Sequence, residues 1–405
     1  MANHGLASQP RGAALQQHQQ LRGSRCAAGA LRCPAVRAAP GRARVTVRAD
    51  ASAASQQQGG AKGKGKVLCI GEALFDLIAD QKGVPRHKVK SWTPYAGGAP
   101  ANVATACARL GLDVAFATAL GDDALGRQLV DVCKGRGVDV RHVHLLPGKP
   151  TREVFVTRDN TGDREFAGFG LPGTGPEYAD AYITKDMVPV DEMQPQTVVV
   201  TGTLGLSYPA TAEALRAAVA AARERRAVVL VDVNWRPVFW EDTEAAKPII
   251  MEYLQHADLI KLSDADLEAL LGMKLSLALI NPGAVAAHFP SAKGVLITAG
   301  QEGAAYAFRG PTKAEHSGVV RSFDVGVTDT TGAGDAFTAG FIYKMVMAGG
   351  VDVLAANPAL LKEAVVFASA AGASTCTRAG AMESQPTLEL VDALYETSKK
   401  WYNFW

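Results

Sequence analysis

"DTTGAGDAF", residues 329–337, sets two glycines and two aspartates ahead of "TAGFIYKMVMAG", whose apolar positions suit a buried helix. The preceding "RSFDVGV" reads as a strand, so the turn has the strand-to-helix setting of an anion cradle. Gly332 and Gly334 permit a tight turn and close approach of a ligand, and the N–H groups of Gly332, Ala333 and Gly334 can converge on an anion. The helix dipole adds to that attraction. Asp335 is then the puzzle, because a carboxylate repels phosphate there at a cost on the order of 1 kcal/mol or more. Two readings account for it. Asp335 caps the helix, or it is a general base that takes a proton from an attacking hydroxyl while the N–H groups stabilise the developing charge.

A second glycine-rich stretch, "YAGGAPANVATACARLG", opens a helix with Gly97, Gly98 and Asn102, which can present polar groups to hydroxyls without bulk. A third, "GAKGKGK" at 60–66, has the glycine and lysine positions of a P-loop but is followed by Val67 and precedes a strand. A P-loop follows a strand and opens a helix, so this stretch is a decoy.

Around these turns, apolar β-rich runs ("VLCIGE", "DVAFATAL", "TVVVTG", "VVLVDV", "DLIKLS", "GVLITAG") alternate with helical patterns. The expectation is an α/β fold with a mostly parallel sheet covered by helices on both faces. "HKVKSWTPY" and "TREVFVTRDNTGDREFAGF" break the rhythm and read as a small accessory β-sheet over the strand ends, the second as a hairpin around Asn160 to Asp163.

The 405 residues, 48% apolar, suffice for a large core in one or two domains, and no uninterrupted apolar run reaches membrane-spanning length. The formal charge of +2 is uneven: residues 1–49 carry eight arginines and no acid, whereas the rest holds 34 basic and 40 acidic side chains. A mildly acidic body offers no footprint for nucleic acid or an anionic membrane. The arginine-rich leader, closing on "VTVRAD", reads as a transit peptide over 1–49, with chloroplast as destination and mitochondrion as the alternative. Residues 50–65 read as a flexible linker, 66–395 as the folded domain and 396–405 as a tail. Cys69, Cys107, Cys133 and Cys376 have no paired spacing and read as free buried thiols; "RHVHLL" reads as a surface strand rather than a metal site.

Together, "AGGAPAN" and "DTTGAGDAF" resemble the two signatures of the pfkB (ribokinase-like) carbohydrate kinases, with an order and spacing similar to plant and bacterial fructokinases. The resemblance implies a ribokinase-like three-layer α/β/α core with a β-lid, at 84–97 and 151–170, and transfer of the ATP γ-phosphate to a sugar hydroxyl, fructose first. It implies Asp335 as base, Gly332, Ala333 and Gly334 as anion hole, and Asp76, Gly97, Gly98 and Asn102 on the sugar, with Asp76 read as ending the first strand, where a plain turn residue is the alternative. It also implies Ser263, Thr298, Gly300 and Gly303 along the nucleotide, Asp266 toward magnesium, and Asp329, Thr331 and Gly380 at a monovalent (potassium) site. Helix capping competes for Ser263. A homodimer through the lid edges fits such kinases.

Three departures stand out. Gly170 occupies the place of a lid arginine in fructokinases, "DVNWR" replaces "DPNLR", and Asp266 replaces a glutamate. Another sugar, a sugar acid or a nucleoside is the alternative acceptor. A non-catalytic, fructokinase-like plastid scaffold is the alternative of a different class.

Overall fold

The computed structural model describes residues 65–160, 164–170, 177–310 and 314–402. The stretch expected to be a transit peptide, nearly all of the expected linker, the expected hairpin tip at 161–163 and the last residues, 403–405, lie outside the described residues. The strands in chain order are β1 (Lys66–Ile70), β2 (Leu74–Lys82), β3 (Trp92–Gly97), β4 (Asp113–Gly121), β5 (Asp139–Leu146), β6 (Arg152–Arg158) and β7 (Arg164–Phe169). They continue with β8 (Val198–Thr201), β9 (Val228–Asp232), β10 (Leu259–Ser263), β11 (Gly294–Thr298), β12 (Ala304–Arg309) and β13 (Glu315–Val320).

Nine of them form one sheet in the order β13-β12-β11-β10-β9-β8-β1-β4-β5. From β11 to β5 every pairing is parallel; β12 and β13 add an antiparallel margin. The alternation of side chains along each strand divides the interior in two. Val67, Cys69, Val198 and Val200 face one apolar layer, while Leu68, Ile70 and Val199 face the other. The first layer is roofed by α1 (Ala99–Arg109), α2 (Ala124–Gly135) and the helices Ala333–Ala348 and Pro358–Thr375; the second by α3 (Pro209–Glu224) and α4 (Thr243–Leu254). The helix at Ala333–Ala348 is apolar around its circumference because it is packed on several sides. Among the described residues no helix is long and apolar enough to cross a membrane.

The remaining strands make the lid, a four-stranded sheet in the order β3-β2-β6-β7. Its buried face holds Leu74, Ile78, Val154 and Val156, with Tyr95, Phe169 and Phe239 against them. Arg152 is fully buried at the root of this sheet, and its Nε and Nη2 each donate to Asp180 at 2.7 Å. The rings of Tyr178 and Phe239 lie 4.5 and 5.1 Å from its guanidinium carbon.

Two expectations need correction. Asp76 does not end the first core strand: β1 stops at Ile70, and Asp76 lies inside the lid strand β2, opposite Tyr95 and Val154. "RSFDVGV" is not a strand either. β13 ends at Val320, and the N–H groups of Thr328 and Asp329 donate to Cys376 O at the end of the helix Pro358–Thr375 rather than to a sheet neighbour. "RHVHLL" is the edge strand β5, as read, but His142 meets a carboxylate that local spacing cannot reveal, Glu192 Oε1 at 2.9 Å. Lys66 pairs with the same Glu192, and Arg141 with Asp139. Cys69, Cys107 and Cys133 are buried free thiols and Cys376 is half-buried.

Candidate active site

The candidate site lies where the start of α1 and the start of the helix Ala333–Ala348 meet through Asn102 and Asp335, beside Asp76 and Gly97 of the lid. Gly332, with φ +77°, precedes that helix, and its carbonyl accepts from Gln385 Nε2 at 3.3 Å. The N–H of Ala333 donates to Thr330 O at 3.2 Å, whereas those of Gly332 and Gly334 have no hydrogen-bond partner among the described residues. Two of the three expected anion donors are therefore open, and the middle one is engaged in closing the turn.

Directly behind the turn sits Lys261. A Cβ on Gly334 would fall 2.9 Å from its Nζ, and Gly334 has no positive φ, so close approach rather than backbone freedom favours glycine there. Lys261 Nζ donates to Asp232 Oδ1 at 3.0 Å, and Thr338 Oγ1 donates to Asp232 Oδ2 at 2.9 Å. All three side chains are buried. Burial pulls the Lys261 ammonium down, but the carboxylates of Asp232, Asp266 and Asp335 outweigh it and hold the group above its ordinary value. A buried cation thus backs the anion turn. Sequence reading missed it, although a lysine inside the apolar run "DLIKLS" was the available signal.

Asp335, in the first turn of the helix, accepts from Asn102 Nδ2 at 2.8 Å. Desolvation first, and the negative charge of Asp232 second, push its carboxyl up to about 7, against the pull of Lys261, Asn102 and Arg236. Asn102 is buried in the first turn of α1, and its Oδ1 has no hydrogen-bond partner. A buried amide oxygen left unpaired is costly unless a ligand supplies the donor. Gly98 precedes α1, and a Cβ on Gly97 would lie 2.9 Å from Asp76 Oδ2, so Asp76, Gly97, Gly98, Asn102 and Asp335 form one continuous lining.

Ser263 and Thr298 end the adjacent strands β10 and β11 as register partners, and Gly300 and Gly303 bound the turn that follows. Asp266 is fully buried: Oδ1 accepts from Trp235 N, and Oδ2 from Ser263 N and Ser263 Oγ, at 2.6, 2.6 and 2.7 Å. Ser263 and Asp266 cap a helix reciprocally, and a cation would have to displace these donors to reach the carboxylate. Asp329 gathers the remaining candidates: Oδ1 accepts from Thr331 N and Oγ1 at 3.0 and 2.8 Å, and Oδ2 from Gly380 N at 3.0 Å. A hard monovalent cation needs oxygen donors; here Asp329 offers a carboxylate, Thr331 a hydroxyl and a carbonyl, and Gly380 a carbonyl.

A half-open carboxylate raised toward neutrality, next to two N–H groups without a partner among the described residues and across from Asn102, suits proton removal from an alcohol next to a bound phosphate. Comparison with known proteins bears on the family. The profile of the pfkB family of carbohydrate kinases matches residues 64–388. Fructokinase-2 of Solanum habrochaites is 34% identical over 81% of this chain and 95% of its own. A double mutant of fructokinase from Vibrio cholerae O395, solved with fructose, ADP and potassium, has a TM-score of 0.69 at 28% identity over 82% of this chain and 98% of its own. Aminoimidazole riboside kinase from Salmonella enterica, solved with aminoimidazole riboside and an ATP analog, has a TM-score of 0.67 at 27% identity over 82% and 99%. The chain belongs to the pfkB family of carbohydrate kinases, phosphotransferases that act on an alcohol group.

Proposed function

We propose that this kinase transfers the γ-phosphate of ATP to fructose, giving fructose 6-phosphate, with Asp335 as general base. The observation that carries the reading is the Asn102–Asp335 contact, which joins the acceptor wall to the phosphate turn and leaves Asn102 Oδ1 for an incoming hydroxyl. Asp76, Gly97 and Gly98 line the sugar side; Ser263, Thr298, Gly300 and Gly303 line the nucleotide side.

Asp335 takes the proton as the acceptor oxygen bonds to the γ-phosphorus and the bond to the β-bridging oxygen breaks. The N–H groups of Gly332 and Gly334, backed by Lys261, stabilise the charge on the phosphoryl oxygens, and the lid excludes water, the competing acceptor. Magnesium, when bound with the nucleotide, neutralises phosphate charge; Asp266 is its candidate protein contact, through a shift of its capping bonds. Asp329, Thr331 and Gly380 would hold potassium and so fix the base of the turn.

A coupled assay of ATP consumption over fructose, other ketoses, aldoses, sugar acids and nucleosides tests the substrate. Fructose should show the highest kcat/KM. A different preferred acceptor would replace fructose, the reading that Gly170 favours; inertness to the whole panel would favour a scaffold. Residues 1–49 would direct the chain to the chloroplast, testable by fusing them to a reporter. The lid edges β3 and β7 would pair two copies, testable by sedimentation.

A further inference from the structure

At the end of α1 away from Asn102, seven residues or about 10 Å along the helix, Arg109 lies within electrostatic reach of Arg136 and Arg378. Arg109 lies in the last turn of α1, Arg136 follows α2, and Arg378 follows the helix Pro358–Thr375. Each position alone is explained by the negative end of its own helix. Their convergence is not. All three are half-buried, and among the described residues none forms an ion pair within 4.0 Å. Arg136 Nε donates to Met382 O at 3.2 Å and Arg378 Nη2 to Ser384 O at 3.1 Å. Arg109 makes no hydrogen bond among the described residues, and its buried Nε is left without a partner. Burial first, then the charges of Arg136 and Arg378, pull the Arg109 guanidinium below its ordinary value; Glu389 is the one acid that acts against this.

Like charges held together with an unpaired buried donor cost free energy, and the group that removes both costs is an oxyanion. We propose that Arg109, Arg136 and Arg378 form a second anion site, separate from the catalytic turn, that takes a phosphate dianion. Guanidinium forks match phosphate oxygens bidentately; Arg109 makes no hydrogen bond among the described residues, and Arg136 and Arg378 keep N–H groups beyond the one each uses. The phosphate can be inorganic or carried on a sugar or nucleotide. The site grips the segment 378–385, whose Gly380 is held by Asp329 and whose Gln385 holds the carbonyl of Gly332, so an anion here bears on the loop beneath the catalytic turn.

The test uses the wild-type protein and Arg109→Gln in chloride buffer, titrated with inorganic phosphate, fructose 6-phosphate or AMP at constant ionic strength, with thermal unfolding and calorimetric binding as readouts. Arg109→Gln should unfold at a higher temperature than wild type without phosphate, because repulsion is relieved. It should also lose the phosphate-dependent rise, with binding weakened roughly tenfold or more. Arg136→Gln should weaken binding in the same way and serves as the second variant. Tighter binding of a monoester than of inorganic phosphate identifies the carrier. If Arg109→Gln unfolds at a lower temperature, or if both variants respond to phosphate as wild type does, the arginines are helix-end caps and the site does not exist.

Discussion

The core sheet and the lid sheet are built on different principles. In the core, Val199, Val229, Leu230, Ile260, Leu262 and Val295 are completely buried between two helical layers, so the strand ends that carry Asp232, Lys261 and Ser263 cannot drift. The lid has only Leu74, Ile78, Val154 and Val156 at its centre, each 6–8% exposed, and is anchored at its root by the Arg152–Asp180 pair in an aromatic surround. The thick sheet fixes the chemistry. The thin one carries Asp76, and Gly170 directly follows its last strand, so the proposed acceptor side rests on the less deeply packed sheet.

The strongest way to break this contrast is at the core. Asp335→Asn should lower kcat by about 10²–10⁴-fold while the fold is kept. Stopped ATP turnover with an unchanged circular dichroism spectrum is the expected result, and near-normal turnover would remove the base from Asp335. At the lid root, Arg152→Met leaves Asp180 buried without its partner and should cost about 3–5 kcal/mol of stability. Denaturant unfolding with hydrogen exchange checks whether β6 and β7 loosen first.

Gly170→Arg sharpens the division of labour. A Cβ there would come 2.8 Å from Glu153 Oε2, the end of a flexible side chain, so the arginine can be seated beside a carboxylate. The KM for fructose should fall roughly tenfold with kcat unchanged; a change in kcat instead would mean that the lid takes part in the chemistry.

Smallest is a pH effect. With Asp335 as the proposed base, kcat/KM should rise as pH passes about 7, and stability should move the other way. A carboxyl raised from its unfolded value of 3.8 supports the fold fully below that pH and loses this contribution as pH climbs through about 7. The unfolding temperature of Asp335→Asn relative to wild type should therefore be higher at pH 8 than at pH 4.

Legibility followed the range of the interaction. Strands such as "VVLVDV" and the turn at 329–337 are local patterns and were readable, as was capping by Ser263, though not the return bond from Asp266. Asp76 was misplaced because nothing local marks that "CIGEALFDL" leaves one sheet at Ile70 and enters another at Leu74. Lys261 could be seen as an odd lysine in an apolar strand, but its partner Asp232 lies 29 positions away. The convergence of Arg109, Arg136 and Arg378 is likewise a product of three helix ends meeting in space.

The unbonded Oδ1 of Asn102 has a practical side. A protein that holds an oxygen out of water with nothing to bond carries a debt that the right alcohol discharges, and that relief shows up as resistance to heat. Melting curves recorded with candidate sugars, one per well and without nucleotide, would let the cleft report its guest before any phosphate has moved.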